Sequence, residues 1–224
     1  MEQSDVLFSI GPVEVAGVVV TSWVIIALLA VFSFLATRKL RDVPGPLQCA
    51  AELAVGGLQK YYTETLGEEK MRRYFPIFAT FFIFIIVCNY SGILPGAGSV
   101  TGFAVPTACL SVTAALGVIA FFTTHTIGIR EVGAKHYILS FAKPVLLLLP
   151  INIIEQFVRP FSLALRLYGN LYGEETVTHK LYEIFPILLP LIMNVLSLLF
   201  CMIQAMVFTM LLAIYVSEAT EGGH

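Results

Sequence analysis

The sequence predicts an all-α integral membrane protein, and three observations lead there. Hydrophobic residues make up 58% of the 224 and charged residues only 12%, against about 25% charged in an average soluble protein. Mean hydropathy is +0.86. The apolar residues gather in uncharged runs of span length, separated by segments that hold most of the charge. A formal charge of −2, with the 13 basic residues not collected into one exposed stripe, argues against a nucleic-acid partner. About five transmembrane helices of about 20 residues each, plus one interfacial amphipathic helix, are expected as a single membrane domain over 1–224.

The elements follow in order. Met1 to Asp5 carries Glu2 and Asp5 but no basic region, so the first span is expected to serve as its own insertion signal. That span is 15–37, an uncharged run that stops at Arg38, Lys39 and Arg41. Next, 46–65 places Leu47, Ala51, Ala54, Leu58 and Tyr61 or Tyr62 at helical spacing beside Gln48, Glu52, Gln59 and Lys60. An interfacial amphipathic helix fits, and an ordinary loop helix is the alternative. No Asp, Glu, Lys or Arg occurs from Tyr74 to Ile129, and Gly92-Ile-Leu-Pro-Gly-Ala-Gly98 supplies breakers in the middle. A transmembrane helical hairpin over 74–127 is predicted.

The last third, 144–217, reads as a pair of long, strongly tilted helices. Its first apolar stretch, Pro144 to Ile154, is short, and Glu155, Arg159 and Arg166 then enter what remains a helical pattern. Ile184 to Ser217 is an uncharged run of 34 residues, about 50 Å as one helix and far longer than the bilayer core. It must tilt, bend or protrude, with Pro186 and Pro190 near its start. Ten of the 13 basic residues lie in Arg38 to Arg73 and Arg130 to Lys143, with none before Arg38 or in the Leu94 to Ala104 turn. Both basic segments are therefore expected in the cytoplasm, the N-terminus outside and the C-terminus inside. Cys49, Cys88, Cys109 and Cys201 have no metal-ligand spacing and are expected to pack as small hydrophobes.

Two polar stripes carry the functional reading. Glu155, Arg159, Ser162, Arg166, Asn170 and Gly173 or Glu174 recur every three or four residues, as do Asn194, Ser197, Cys201, Gln204, Phe208, Leu211, Tyr215 and Glu218. A helix lines up each set on one face. Amides and hydroxyls in lipid need partners or water, so Asn170, Asn194, Ser197 and Gln204 are either interhelical glue or the lining of a hydrated path. Arg166 cannot shed its proton, and a central arginine costs about 2.5–3.5 kcal/mol on insertion scales. It marks an ion path or, alternatively, a buried pair with Glu155 or Glu174. Arg159 is expected to snorkel to the cytoplasmic surface. Glu174, Glu175, His179 and Glu183 cluster between the stripes, as a proton relay or a solvated loop. His125 and His136 are expected at the cytoplasmic boundary. No phosphate loop, HExxH or GxSxG motif occurs, so energy must enter through an ion gradient or a partner.

These residues resemble a known family, subunit a of the F-type ATP synthase. Pro150-Ile-Asn-Ile-Ile-Glu-Gln-Phe-Val-Arg-Pro-Phe-Ser-Leu-Ala-Leu-Arg-Leu-Tyr-Gly-Asn170 resembles its arginine helix, and Gln204-Ala-Met-Val-Phe-Thr-Met-Leu-Leu212 its final helix. Asn89-Tyr-Ser-Gly-Ile-Leu-Pro95 and Gly128-Ile-Arg-Glu-Val-Gly133 extend the likeness over most of the chain. The resemblance implies that Arg166 faces the carboxylates of a rotating c-ring, with Asn170 and Gln204 beside it. It makes Glu175 the acid of an outer half-channel, with Glu174 able to substitute. Ser197 stands where some relatives carry a histidine, which leaves His179 as a replacement, and Asn152 stands where an acid is frequent, which turns attention to Glu155 or Glu218 for the inner side. Two offset half-channels, a multi-pass place in a bacterial plasma membrane, and the c-ring, the peripheral-stalk b subunits and the rest of the synthase as partners are implied. So are the lack of a cofactor and of an independent catalytic site. A sodium-coupled version, a small secondary transporter and a structural scaffold are the alternatives, although no internal repeat of the transporter kind is visible.

Overall fold

The computed structural model describes residues 6–10, 13–38, 45–92, 105–140, 149–184 and 188–221. It is an α-helical membrane architecture. In chain order come β1 (Val6–Ile10), β2 (Val13–Ala16), α1 (Gly17–Thr37), α2 (Pro46–Leu66), α3 (Glu68–Ser91), a 3-10 turn at Pro106–Ala108, α4 (Leu110–Val132), α5 (Ala134–Ser140), α6 (Leu149–Ile184) and α7 (Leu188–Glu221). Helices α1, α3, α4 and α7 are each long and apolar enough to cross a membrane. The 36 residues of α6 exceed them all in length, but its charged row lowers its hydropathy.

One addition to the expected class is a small antiparallel β-hairpin, in which Phe8 lies opposite Val15, Ser9 opposite Glu14 and Ile10 opposite Val13. The alternation Val13-Glu-Val15 is a strand signal that a search for uncharged runs passes over. Several expectations lie outside the described residues: the N-terminal Met1 to Asp5, Lys39 and Arg41, the breakers beyond Gly92, the Leu94 to Ala104 turn, Lys143, the start of the 144–154 stretch and Pro186.

Local chemistry explains the corners. Pro46 opens α2, where a missing N–H costs nothing. Gly67 (φ 75°) then turns the chain into α3, whose first turn carries Glu68 and Glu69 at the positive end of the helix dipole. Gly133 (φ 86°) folds α5 back on α4. There Gly128 receives the Tyr137 ring so closely that an added Cβ would lie 2.6 Å from it.

Helix α7 lies at the centre of the packing. Phe208, Leu212, Ala213 and Val216 are fully buried, together with Tyr62 of α2, Phe78 and Ile85 of α3 and Leu167 of α6. Phe208 stacks on Phe81 with centroids 6.0 Å apart. Because lipid is as apolar as leucine, shape fit and interhelical hydrogen bonds hold such helices together more than water exclusion does. The fit is also close where α4 meets α6: a Cβ on Gly117 would lie 2.8 Å from the Pro160 carbonyl oxygen and 3.2 Å from Ala164. Helix α2 crosses the far end of α7. The Tyr62 and Thr209 hydroxyls share a hydrogen bond, the Ser217 hydroxyl donates to the Thr65 carbonyl, and Lys70 donates to Thr220 at 2.8 Å. The face of α2 opposite Tyr62 leaves Leu53 exposed, as an interfacial helix would. Helix α1 exposes Trp23, Leu28, Phe32 and Phe34 along most of its length.

Candidate ion path

The two polar stripes run along α6 and α7, and packing of the two helices brings their residues together at two places. At the end that carries Lys70, Arg73 and Glu131, Arg159 of α6 is paired twice. Its Nη2 meets Glu155 Oε1 at 2.7 Å on the same helix, and its Nη1 meets Glu218 Oε2 of α7 at 2.5 Å. The guanidinium also lies over the Tyr215 ring, 5.0 Å from its centroid. This corrects the expectation that Arg159 snorkels outward: its side chain is mostly enclosed and tied to α7. A cleft of 10 Å³, about the room one water needs, is lined there by Thr124 and His125 of α4, Gln156 and Arg159 of α6, and Tyr215 of α7. His125 thus faces an internal cleft and packs its ring on Phe121, 4.0 Å away, whereas His136 is exposed. Tyr137 of α5 closes this end, and burial raises its phenol above the ordinary range, so that it stays neutral.

At the opposite end, Ser197, Cys201 and Gln204 of α7 are buried. Asn89 of α3 donates from Nδ2 to the Cys201 carbonyl at 3.3 Å, and Tyr90 donates to the Leu198 carbonyl. Three buried polar atoms there have no hydrogen-bond partner among the described residues: Asn89 Oδ1, Gln204 Nε2 and Glu174 Oε2. Buried polar atoms without partners are uncommon, and together they mark a place suited to water or a passing proton. Glu174 is half-buried and lies within electrostatic reach of Cys201, while Glu175, the next residue, is exposed. Of the two acids, Glu174 is the one within electrostatic reach of Cys201 on α7. The His179 and Glu183 side chains lie outside the described residues.

Arg166 lies between these ends, about 10 Å along α6 from Arg159. It is exposed and makes no salt bridge among the described residues, so it does not form the buried pair with Glu155 or Glu174. Its neighbours on α6 include the exposed Phe161, Leu165 and Tyr172, and Asn170 one turn on is half-buried. Among the described residues no group of three His, Cys, Asp or Glu side chains is placed to hold a metal ion.

The family described as ATP synthase A chain matches residues 19–217, a stretch that includes nearly all of α1, the Arg166 helix and all but the last turn of α7. This chain belongs to that family. It is similar to ATP synthase subunit a 3 of Pelobacter propionicus, at 44% identity over 91% of this chain and 87% of that one. Against ATP synthase subunit a of Geotalea daltonii the identity is 42%, covering 93% and 90%. Subunit a of Moorella thermoacetica is 40% identical, and the match covers 96% of both chains. This chain is thus a membrane protein of that family, with rows of polar residues along α6 and α7.

Asn89 was missed as a site residue by sequence reasoning. An amide inside the uncharged run from Tyr74 to Ile129 was the available signal, because lipid offers it no partner. The Tyr215 and His125 contacts with the Arg159 region had no such signal, since they depend on how three helices pack.

Proposed function

We propose that this chain is the proton-translocating stator subunit of the membrane sector of an F-type ATP synthase. The observation that carries the reading is Arg166: a permanent charge exposed on the polar row of α6, with no ion pair among the described residues. A charge held in lipid at such cost wants a counter-charge, and here that is supplied by another subunit. The carboxylates of a c-ring moving past α6 provide it. The single membrane domain, its N-terminus outside and C-terminus in the cytoplasm, meets the peripheral-stalk b subunits on other faces.

The mechanism follows from charge and geometry. A proton enters from outside past Glu174 and Glu175, with Ser197, Asn170 and Gln204 able to hold water along the way and His179 close by in sequence. It neutralises a ring carboxylate, which can then move into lipid. After nearly a full rotation the proton leaves toward Glu155 and Glu218. Arg166 favours the ionised ring carboxylate as it passes and blocks a direct leak by its positive charge. It cannot carry the proton itself, because it stays protonated. Each elementary charge crossing is worth about 2.3 kcal/mol per 100 mV, so several are coupled to each ATP.

The test is ATP-driven acidification of inverted membrane vesicles that carry the assembled complex, comparing the native chain with Arg166→Ala at equal subunit content. Loss of pumping with assembly intact is the expected result. Pumping retained at the native rate would remove Arg166 from the path and favour a scaffold or transporter. Uptake of labelled sodium that resists an uncoupler would replace the proton by sodium.

A further inference from the structure

We propose that Arg159 is a positioning residue of this path: it gathers Glu155 and Glu218 into one two-carboxylate station through which protons pass between the Arg166 region and the aqueous phase. The inference rests on the function proposed above and goes further by assigning Arg159 a role. The two carboxylates come from different helices and meet different nitrogens of one guanidinium, at 2.7 Å and 2.5 Å. A planar fork can direct two hydrogen bonds at once, which a lysine ammonium matches less well. Exposure is graded in the sense a station requires. The Arg159 side chain is 19% exposed, whereas Glu155 and Glu218 are 50% and 49% exposed. The cation is therefore enclosed and the acids are open to their surroundings.

A purely structural tie between α6 and α7 needs only one acid. With all three groups ionised the cluster carries one net negative charge (+1 − 2), beside a cleft lined by Gln156, Thr124 and His125. That excess suits transient protonation of either acid. The other titratable or charged groups facing the cluster are His125 from α4, Tyr137 from α5 and Tyr215 from α7. Arg166 is felt at Tyr215, and Lys70 of α3 binds Thr220, two residues beyond Glu218. None of the described carboxylates besides Glu155 and Glu218 forms an ion pair with Arg159.

The experiment uses the assembled complex in inverted vesicles and measures pumping while the pH on each face is varied separately. Arg159→Gln is expected to lower pumping about tenfold, the lower range of what a proton-handling group contributes. The deficit should change with pH on the face where the Arg159 end opens and not with pH on the other. Arg159→Lys should recover part of the rate. Arg159→Gln combined with Glu155→Gln and Glu218→Gln removes every charge at once, and should assemble yet not pump. Pumping restored in that triple variant would reduce Arg159 to charge balance and overturn the proposal, as would a native rate in Arg159→Gln. If Arg159→Gln does not assemble, the pair Glu155→Gln with Glu218→Gln decides, a native rate again overturning the proposal and a loss supporting it. Arg166→Ala run in parallel separates the two levels. A loss there with native pumping in Arg159→Gln leaves the proposed function standing and removes only this inference, whereas retained pumping in Arg166→Ala removes the proposed function itself.

Discussion

Gly117→Ala tests how closely the arginine helix is held. An added methyl would lie 2.8 Å from the Pro160 carbonyl oxygen, where ordinary contact begins at about 3.4 Å, so one helix must retreat by about 0.6 Å or the methyl must be accommodated by strain. The obstructing atom is backbone, and Pro160 adds rigidity, so a rotamer change cannot relieve it. Overpacking of this kind costs about 1–3 kcal/mol. Pro160 adjoins Arg159 and lies less than two turns from Arg166, so the retreat displaces the charges relative to α7 and to any passing ring. Misplacement by 1 Å can cost about a hundredfold in a reacting site, and about 0.6 Å should cost a few-fold to tenfold in pumping. The assay is ATP-driven acidification per assembled complex, together with thermal stability of the detergent-extracted complex. Gly117→Val should be worse than Gly117→Ala on both measures. A valine variant that melts and pumps like the native complex would refute the close-contact argument.

Glu174→Gln should reduce pumping more than Glu175→Gln, by about tenfold or more if Glu174 is the acid that handles the proton; equal effects, or a larger loss for Glu175→Gln, would restore Glu175 to that role. Tyr62→Phe should cost about 1 kcal/mol in thermal stability of the complex, because Thr209 keeps its bond to the Ala205 carbonyl at 2.8 Å; an unchanged melting profile would show that the α2 to α7 link carries no weight. Phe208→Ala, at a fully buried position, should cost about 3–5 kcal/mol and lower the yield of assembled complex, as read by native electrophoresis of membrane extracts.

The helical membrane class was legible because hydropathy and charge spacing are properties of the chain itself. Uncharged runs long enough to cross lipid leave few other solutions. The face of α6 that carries Arg159 and Arg166 was legible for the same reason, since a period of three to four needs no tertiary information. Partners were not. Glu155 is one turn from Arg159, but Glu218 comes from another helix at a distance in sequence, and only the packing of α6 on α7 unites them. The difference between Glu174 and Glu175 is equally a packing matter: neighbours on a helix point about 100° apart, and the helix rotation brings Glu174 within electrostatic reach of Cys201 and leaves Glu175 exposed. The β-hairpin escaped because strands of five and four residues give too short an alternation to stand out beside a long apolar run.

The crossing of α2 over the end of α7 has a mechanical side. A stator that lets a rotor slide past must bear lateral load without yielding, and a pair of long helices clamped only to each other would bend as a lever does. The bonds from Tyr62, Thr65 and Lys70 to Thr209, Ser217 and Thr220 anchor α7 to the corner where α2 turns into α3. Under the proposed function, thrust received near Arg166 is delivered through α7 to that corner, and through the exposed Leu53 face of α2 to the membrane surface. Stiffness at the protein's edge would then set how much of each rotor step is converted into torque and how much is lost as recoil.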